Sequence, residues 1–373
     1  MPKDLHLTLK FKNNEKPLNN ILAFTTSVGG ACSHYRLFSP AKYLTQEHNI
    51  NYHVSNNFKL GYPDERMPLY QSALLDIYRK YDTFVFQREF RVNVFEFMKI
   101  AQDVGKIRCI NEIDDDFESI LESSPSYKDT QTALPKMRYF WAHSNVLTCT
   151  TEPLKEVLSK YNKNIHVIPN AIDFDYFDPW VKKNYERDTI IIGWTGSPYH
   201  FEDIAFIEQY ITDVVNKYDN VKFLYAGHFQ KRGNIQYEFF KGIPNDKKII
   251  LPSVPICFYP KLLSMIDIGI APLANNKFNE SKSNLKYLEY SALGIPSVCS
   301  DIYPYRNTIT NGEDGFIAGN SFKSWQNALE LLINDFPARK TIGEAAREMV
   351  YKKFNIKDVV NQWKELFIGG NKQ

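Results

Sequence analysis

Short apolar runs rich in Val, Ile and Phe alternate along this chain with longer segments whose apolar positions recur every three or four residues. The short runs read as buried strands and the periodic segments as amphipathic helices, an alternation that predicts βαβ units and parallel sheets. In the first half the pattern predicts strands at 21–25, 83–87, 107–113, 146–148 and 166–168, with helices at 35–46, 68–80, 92–104 and 152–161. A second series predicts strands at 190–194, 222–226, 249–251, 268–271, 297–299 and 315–317, and helices at 201–217, 259–265, 285–292 and 322–334. The polar stretch 182–188 between the two series reads as a linker. The expected organisation is therefore one domain over 1–183, a second over 184–350, and a terminal helix within 351–373. Doubly wound sheets bind ligands beyond the carboxyl ends of their strands, which makes a cleft between the two domains the expected site.

The most informative polar stretch is Ser281-Lys282-Ser283-Asn284, which leads into the helix expected at 285–292, with Gly294 and Pro296 closing it. A helix N-terminus presents free N–H groups and the positive end of the helix dipole, an arrangement suited to a diphosphate. Lys282 and Lys286 would add charge toward the same anion, and Glu289, about two turns along, can accept hydrogen bonds from a ribose diol. The competing reading is a capped surface helix with solvated charges. In the first half, Gly29-Gly30-Ala31-Cys32-Ser33-His34-Tyr35-Arg36 follows a predicted strand and opens a helix, so the backbone there can approach a ligand closely. An ordinary strand-to-helix turn is the alternative. The spacing is not the G-x-G-x-x-G fingerprint, which argues against a dinucleotide cofactor. His143 lies close to Trp141 and His166 falls in an apolar strand, so both read as structural.

In order and spacing these segments resemble the GT-B glycosyltransferases of family 4. The stretch 281–296 is similar to that family's donor-binding motif, in which an acidic residue at the Glu289 position binds the donor ribose. Ile191-Ile192-Gly193-Trp194-Thr195-Gly196-Ser197 looks like the glycine turn that opens the C-terminal domain, and Val221–Gly227 like the next strand and its closing glycine. Asp267-Ile268-Gly269-Ile270-Ala271-Pro272-Leu273 looks like the strand before the donor loop, and Asn311-Gly312-Glu313-Asp314-Gly315-Phe316 like the later glycine-rich turn. Val167-Ile168-Pro169-Asn170-Ala171-Ile172-Asp173, with Phe177-Asp178-Pro179, resembles the stretch closing the N-terminal domain. The likeness covers nearly all of residues 21–367. Two departures touch the phosphate site. Ser281 stands where the family's first acidic residue falls, with Glu280 one position out of register. The Arg and Lys that commonly follow the glycine turn are missing after Gly196, where His200 lies instead.

The resemblance implies an α/β protein of GT-B architecture, with two facing Rossmann-like domains and an interdomain cleft. It implies a donor site at Gly196, Ser197, Lys282, Ser283, Asn284, Leu285 and Glu289, with Arg306 or Lys286 helping Lys282 to neutralise the diphosphate. The loop carrying Gly29, Gly30, His34 and Arg36 would form the acceptor and phosphate side, with Arg36 reaching a phosphate across the cleft. For Asp114-Asp115-Asp116, at the end of an apolar strand, three readings stay open. It is an acidic turn or helix cap, a set of carboxylates that positions the acceptor hydroxyl or stabilises positive charge on the reacting sugar, or a ligand set for Mg²⁺ or Mn²⁺. The resemblance argues against a metal or other cofactor and favours Asp114 and Asp115, with Lys282, as active-site residues. It also implies a terminal helix that crosses back to the first domain, through Trp363 and Phe367.

The implied reaction moves a sugar from a nucleoside diphosphate sugar, UDP-sugar first among donors, to a hydroxyl acceptor with retention of configuration. The leaving diphosphate would help to deprotonate the incoming hydroxyl, and domain closure would exclude water. A sugar-nucleotide epimerase on the same fold, or a non-catalytic sugar-nucleotide or glycan-binding protein, are the rival readings.

Composition narrows the setting. At 373 residues the chain exceeds the span of one hydrophobic core, which supports two domains. A net charge of +2 does not mark a nucleic-acid binder, although basic residues gather over 3–16 and at Lys247 and Lys248 and keep a membrane or polyanion contact open. Five scattered cysteines without C-x-x-C spacing argue against a disulfide framework or a zinc site and fit a reducing cytoplasm. Met1-Pro2-Lys3-Asp4 lacks the apolar core of a signal peptide, and no apolar run is long enough to span a bilayer. The expectation is a cytoplasmic protein, at most peripheral to the membrane. Its acceptor would be a cell-envelope glycan or lipid, with a modified DNA base as the minor option.

Overall fold

The computed structural model describes residues 18–25, 29–56, 76–183, 186–196, 200–227 and 239–369. The chain packs as two compact units, one comprising Met1–Asn170, Ser281–Ser283 and Ile356–Gln373, the other Ala171–Glu280 and Asn284–Asn355. Each is built on a six-stranded parallel sheet. The first sheet holds β1 (Asn19–Phe24), β2 (Ile50–Ser55), β3 (Thr83–Gln87), β4 (Arg108–Glu112), β5 (Val146–Cys149) and β6 (Ile165–Val167), in the spatial order β2-β1-β3-β4-β5-β6. The second holds β7 (Ile190–Thr195), β8 (Val221–Ala226), β9 (Lys248–Leu251), β10 (Ile268–Ala271), β11 (Ser297–Ser300) and β12 (Phe316–Ala318), in the order β12-β11-β10-β7-β8-β9. That second order is the 3-2-1-4-5-6 arrangement of doubly wound nucleotide-binding sheets. Strand order reverses between β1 and β3 in one unit and between β7 and β10 in the other, and such reversals are where ligands bind.

The inner strands β3, β5, β10 and β11 are buried at every position, which is why they appear in the sequence as unbroken apolar or small-residue runs. The edge strand β2 alternates buried and half-buried residues, with Asn51 and His53 on its open side, and the pattern of apolar runs does not predict it. In the first unit a π-helical turn, His34–Phe38, runs into α1 (Ser39–Glu47), and α2 (Val92–Asp103), α3 (Tyr127–His143) and α4 (Glu152–Leu158) follow. Helix α3 is also unexpected, because Pro135 lies within it. The proline is exposed, and there water can take the backbone bond it removes. Of the helix expected at 68–80, residues 76–80 are helical and 68–75 lie outside the described residues.

The second unit carries α5 (Phe201–Lys217), α6 (Tyr259–Leu263), α7 (Leu285–Ala292), α8 (Phe322–Asn334) and α9 (Phe336–Phe354). Helix α9, absent from the expectation, starts on the cap Asp335, which accepts from the Ala338 N–H at 2.9 Å. Its buried Arg339 donates to the Leu332 and Ile333 carbonyls at 2.6 and 2.8 Å and so closes the end of α8. The final helix, α10 (Ile356–Gly369), packs with the first unit. There Asn19 Nδ2 donates to the Phe367 carbonyl at 2.8 Å, and Trp363 lies buried under the Arg36 guanidinium, 5.0 Å from its centre.

The packed units differ in their bounds from the 1–183, 184–350 and 351–373 division. The chain changes unit at Asn170/Ala171, at Glu280/Ser281, at Ser283/Asn284 and at Asn355/Ile356. The polar stretch at 182–188 is not a free linker at its start: the Lys182 N–H donates to the Leu293 carbonyl at 2.9 Å, and its buried ammonium pairs with Asp267 and the Ile266 carbonyl. The basic pair Lys247 and Lys248 is also engaged. Lys247 donates to the Val215 and Tyr218 carbonyls at the end of α5, and Lys248 to the Phe240 carbonyl, so neither ammonium stands as an open polyanion contact. The basic stretch 3–16 lies outside the described residues.

Candidate active site

Beyond the carboxyl ends of β1, β3 and β4 the first unit carries one connected polar network. Thr25 Oγ1 donates to Gln87 Oε1 at 2.9 Å, and Gln87 Nε2 donates to the Cys32 carbonyl and to Glu112 Oε2, each at 3.2 Å. The loop with Gly29 and Gly30 is thereby tied to the ends of β3 and β4. Two residues past β4, Asp114 and Asp115 share one guanidinium: Arg88 Nε donates to Asp114 and Arg88 Nη2 to Asp115 Oδ2, the latter at 2.6 Å. Burial pushes the Cys32 thiol beside this pair well above its ordinary pKa. Lys282 Nζ stands 3.6 Å from Asp115 Oδ1. Its segment is held on both sides, by Thr151 Oγ1 donating to the Ser281 carbonyl at 2.8 Å and Asn170 Nδ2 donating to Ser283 Oγ at 2.9 Å. Asp114, Asp115, Lys282 and Ser283 thus come together in the first unit.

Asp116 has a different task. Its Oδ1 accepts from the Glu118 and Ser119 N–H groups at 3.0 and 3.2 Å, capping a short 3-10 turn, and burial raises its pKa. The cap reading therefore describes Asp116, while Asp114 and Asp115 are clamped carboxylates. Among the described residues no group of three or more His, Cys, Asp or Glu side chains is placed to hold a metal ion.

Arg36 requires a correction. It is 1% exposed, its Nε lies 2.7 Å from the fully buried Glu112, and its Nη1 donates to the Ile168 carbonyl at 2.6 Å. A guanidinium so enclosed cannot reach a phosphate; it braces the sheet against α10. His34 is half-buried with its ring edge-on to Tyr35. His143 closes on its own helix through the Tyr139 carbonyl at 2.8 Å, and His166 lies on β6 outside the network.

The second unit gathers the remaining candidates. Gly196 follows β7 beneath Gly227, whose φ of +99° favours glycine and where an added Cβ would lie 2.1 Å from the Gly196 oxygen. Ser197 lies outside the described residues. His200 Nδ1 stands 2.7 Å from Asp203 Oδ2, while Asp203 Oδ1 accepts from the Ala274 N–H at 2.8 Å and from Asn279 Nδ2 at 2.7 Å, joining the segments that follow β7 and β10. Helix α7 opens without a side-chain cap: Asn284 directs its amide to Thr308 Oγ1 at 2.9 Å instead. The first-turn N–H groups from Leu285 onward are therefore not taken by their own capping residue.

Glu289 is buried on the next turn, where its Oε2 accepts from Tyr259 and from Lys286 Nζ, each at 2.9 Å. The Tyr259 oxygen is also 2.7 Å from Thr195 Oγ1 and from Lys286 Nζ. Burial and then Glu289 hold the Tyr259 phenol well above its ordinary pKa, so it remains a donor. Lys286 is thus committed to Glu289 and Tyr259, and Arg306 pairs with Asp301 at the surface. Sequence reasoning missed Arg88, Cys32, Thr195 and Tyr259. For Arg88 the available signal was a polar residue directly after the apolar run Thr83–Gln87.

Residues 189–335 match the model of the family described as glycosyl transferases group 1. The capsular polysaccharide biosynthesis glycosyltransferase CapM of Staphylococcus aureus is 29% identical over 207 residues, 53% of this chain and 51% of its own length. The UDP-Gal:alpha-D-GlcNAc-diphosphoundecaprenol alpha-1,3-galactosyltransferase of Escherichia coli is 23% identical over 268 residues, 65% of this chain and 66% of its own length. The match therefore spans about half to two thirds of these curated relatives. Among solved structures, Anabaena Alr3699/HepE in complex with UDP and glucose aligns with a TM-score of 0.64 at 14% identity, covering 93% of this chain and 99% of that one. The fold is α/β and of the GT-B class.

Proposed function

We propose that this chain, which carries a group 1 glycosyltransferase segment over residues 189–335, moves a sugar from a nucleoside diphosphate to a hydroxyl acceptor. The observation that carries the reading is the start of α7. An uncapped first turn directly follows Lys282-Ser283-Asn284, in a unit whose sheet has the 3-2-1-4-5-6 order and within the matched segment. The diphosphate is assigned to the N–H groups that open α7 and, by its place just before them in the sequence, to the Lys282 ammonium, without a metal ion. The ribose diol is assigned to Glu289, whose carboxylate Tyr259 and Lys286 hold in place.

Acceptor-side contacts are assigned to Asp114 and Asp115 with the Gly29–Gly30 loop. The bond from the anomeric carbon to the diphosphate breaks as the acceptor oxygen bonds to the same face, and the acceptor proton passes to the departing phosphate oxygen. UDP as the donor nucleotide is supported by the UDP bound to the Anabaena protein and by the donor in the Escherichia coli enzyme's name. The capsular polysaccharide and the diphosphoundecaprenol-linked acceptor named for the relatives support a cell-envelope glycan or its lipid-linked precursor as acceptor. Such an acceptor would place the protein at a membrane surface from the cytoplasmic side. No described helix is long and apolar enough to cross a membrane.

Thermal unfolding with UDP, GDP, ADP, CDP or NAD, each with Mg²⁺ or EDTA, tests the donor site. UDP is expected to stabilise the protein in both conditions, by about 2.7 kcal/mol at a hundredfold excess over its dissociation constant. Stabilisation by NAD alone, or by none of the nucleotides, would overturn the reading. With sugar nucleotide and acceptor, a product of the donor's own mass would instead mark an epimerase. Glu289→Ala is expected to weaken UDP binding about 10- to 100-fold, the effect of losing hydrogen bonds to a charged group, while saturating turnover changes much less. Calorimetric UDP affinity equal to wild type would remove Glu289 from the donor site.

A further inference from the structure

Asn284 stands where helix α7 would take its cap, and it does not cap. Asparagine is among the best residues at that position, because its side-chain oxygen can accept from the N–H two or three residues on. The same chain uses such caps elsewhere: Thr151, Ser321 and Asp335 accept from the first turns of α4, α8 and α9. At α7 the amide is drawn away. The single proton of the Thr308 hydroxyl goes to the Pro304 carbonyl at 2.8 Å, so toward Asn284 its oxygen can only accept, and Asn284 Nδ2 donates to it at 2.9 Å. The turn is not an open one. Asn284 and Tyr287 are buried and Leu285 and Lys286 half-buried, so N–H groups without a cap are costly there.

We propose that Thr308 is a positioning residue: it holds Asn284 off the first turn of α7 and so leaves the Lys286 and Tyr287 N–H groups to the donor diphosphate. This deepens the glycosyltransferase reading and rests on it. A cap and an anion compete for the same N–H groups. An Asn284 released from Thr308 would fill the turn whenever the donor is absent, and the diphosphate would have to displace it. With Thr308 in place the turn stays bare in the unliganded fold. The anion then meets preorganised donors at the positive end of the helix dipole, and its binding satisfies groups that the fold leaves unsatisfied.

Thr308→Val tests this, because valine keeps the shape and loses the hydroxyl that holds Asn284. Three quantities are measured: UDP affinity by calorimetry, melting temperature, and amide hydrogen exchange at Lys286 and Tyr287 without nucleotide. UDP affinity is expected to fall about 3- to 30-fold, the equilibrium equivalent of one helix cap. Exchange at the two amides should slow and the melting temperature should not fall. Thr308→Ser should behave as wild type. Adding Asn284→Ala to Thr308→Val should return most of the lost affinity, since alanine has nothing with which to cap. Unchanged UDP affinity in Thr308→Val, or no recovery in the double variant, would overturn the proposal. So would faster exchange at the two amides, because Thr308 would then only support the helix. If Thr308→Val melts early, Thr308→Ala and Thr308→Ser decide by the same affinity and exchange readouts. A wild-type protein that binds no nucleoside diphosphate would sink the glycosyltransferase reading and the inference with it. UDP binding by wild type with indifferent Thr308 variants would sink the inference alone.

Discussion

Replacing Lys282 with Ala is expected to lower kcat about 100- to 1000-fold, the range seen when one preorganised group that stabilises developing charge is removed. Lys286 is bound to Glu289 and Tyr259, Arg306 pairs with Asp301, and Arg36 is sealed against Glu112. Lys282 is half-buried, its ammonium 3.6 Å from Asp115 Oδ1, and it lies directly before the first turn of α7 in the sequence. Negative charge builds on the diphosphate as the glycosidic bond breaks, and in a partly desolvated site an ammonium nearby stabilises that state more than the bound ground state. Loss in kcat should therefore exceed loss in UDP affinity. Fold stability should change little, because the pair with Asp115 is long and partly solvated. Steady-state kinetics at saturating donor, beside calorimetric UDP binding, separate the two effects. Near-wild-type turnover in Lys282→Ala would remove the residue from the chemistry.

What could be read from the sequence was whatever is local. The strands buried on both faces stand out as apolar runs, and the donor loop is legible because Lys282 through Glu289 act within one short segment. Elements whose logic is not local were missed. Strand β2 keeps only alternate residues inside, and α3 carries a proline that solvent tolerates. The start of the polar stretch at 182–188 looks like a linker because Lys182 is charged. Its partner Asp267 lies 85 positions away, and the pair is buried. The same distance hides the roles of two arginines. Arg36 looks like a phosphate contact beside a glycine loop until Glu112, 76 positions on, encloses it. Arg88 has no motif of its own, and its meaning appears only when β3 and β4 lie side by side and bring Asp114 and Asp115 to its guanidinium.

Arg36→Ala is expected to produce the largest loss of stability, about 3–5 kcal/mol, because it leaves Glu112 charged and unpaired inside the first unit. The pair is sealed, with side chains 1% and 0% exposed, and Arg36 also donates to the Ile168 carbonyl and covers Trp363. The loss should depend on pH. Burial raises the Glu112 pKa, and the Arg36 charge pulls it back down, so removing Arg36 raises it further. A carboxyl whose folded-state pKa lies above its unfolded value adds stability that is fully present below the unfolded value and is lost as pH rises through the folded one. The deficit of Arg36→Ala should therefore be smallest near the ordinary glutamate value of 4.5 and grow as the pH rises from there. Denaturant melts at about pH 5 and about pH 8 measure this directly. Adding Glu112→Gln should return part of the lost stability at the higher pH, because it removes the stranded charge while Gln87 can still donate to the amide oxygen. A deficit that is the same at both pH values, or a double variant no better than Arg36→Ala, would mean that the lost contacts to Ile168 and Trp363 matter and the stranded carboxylate does not.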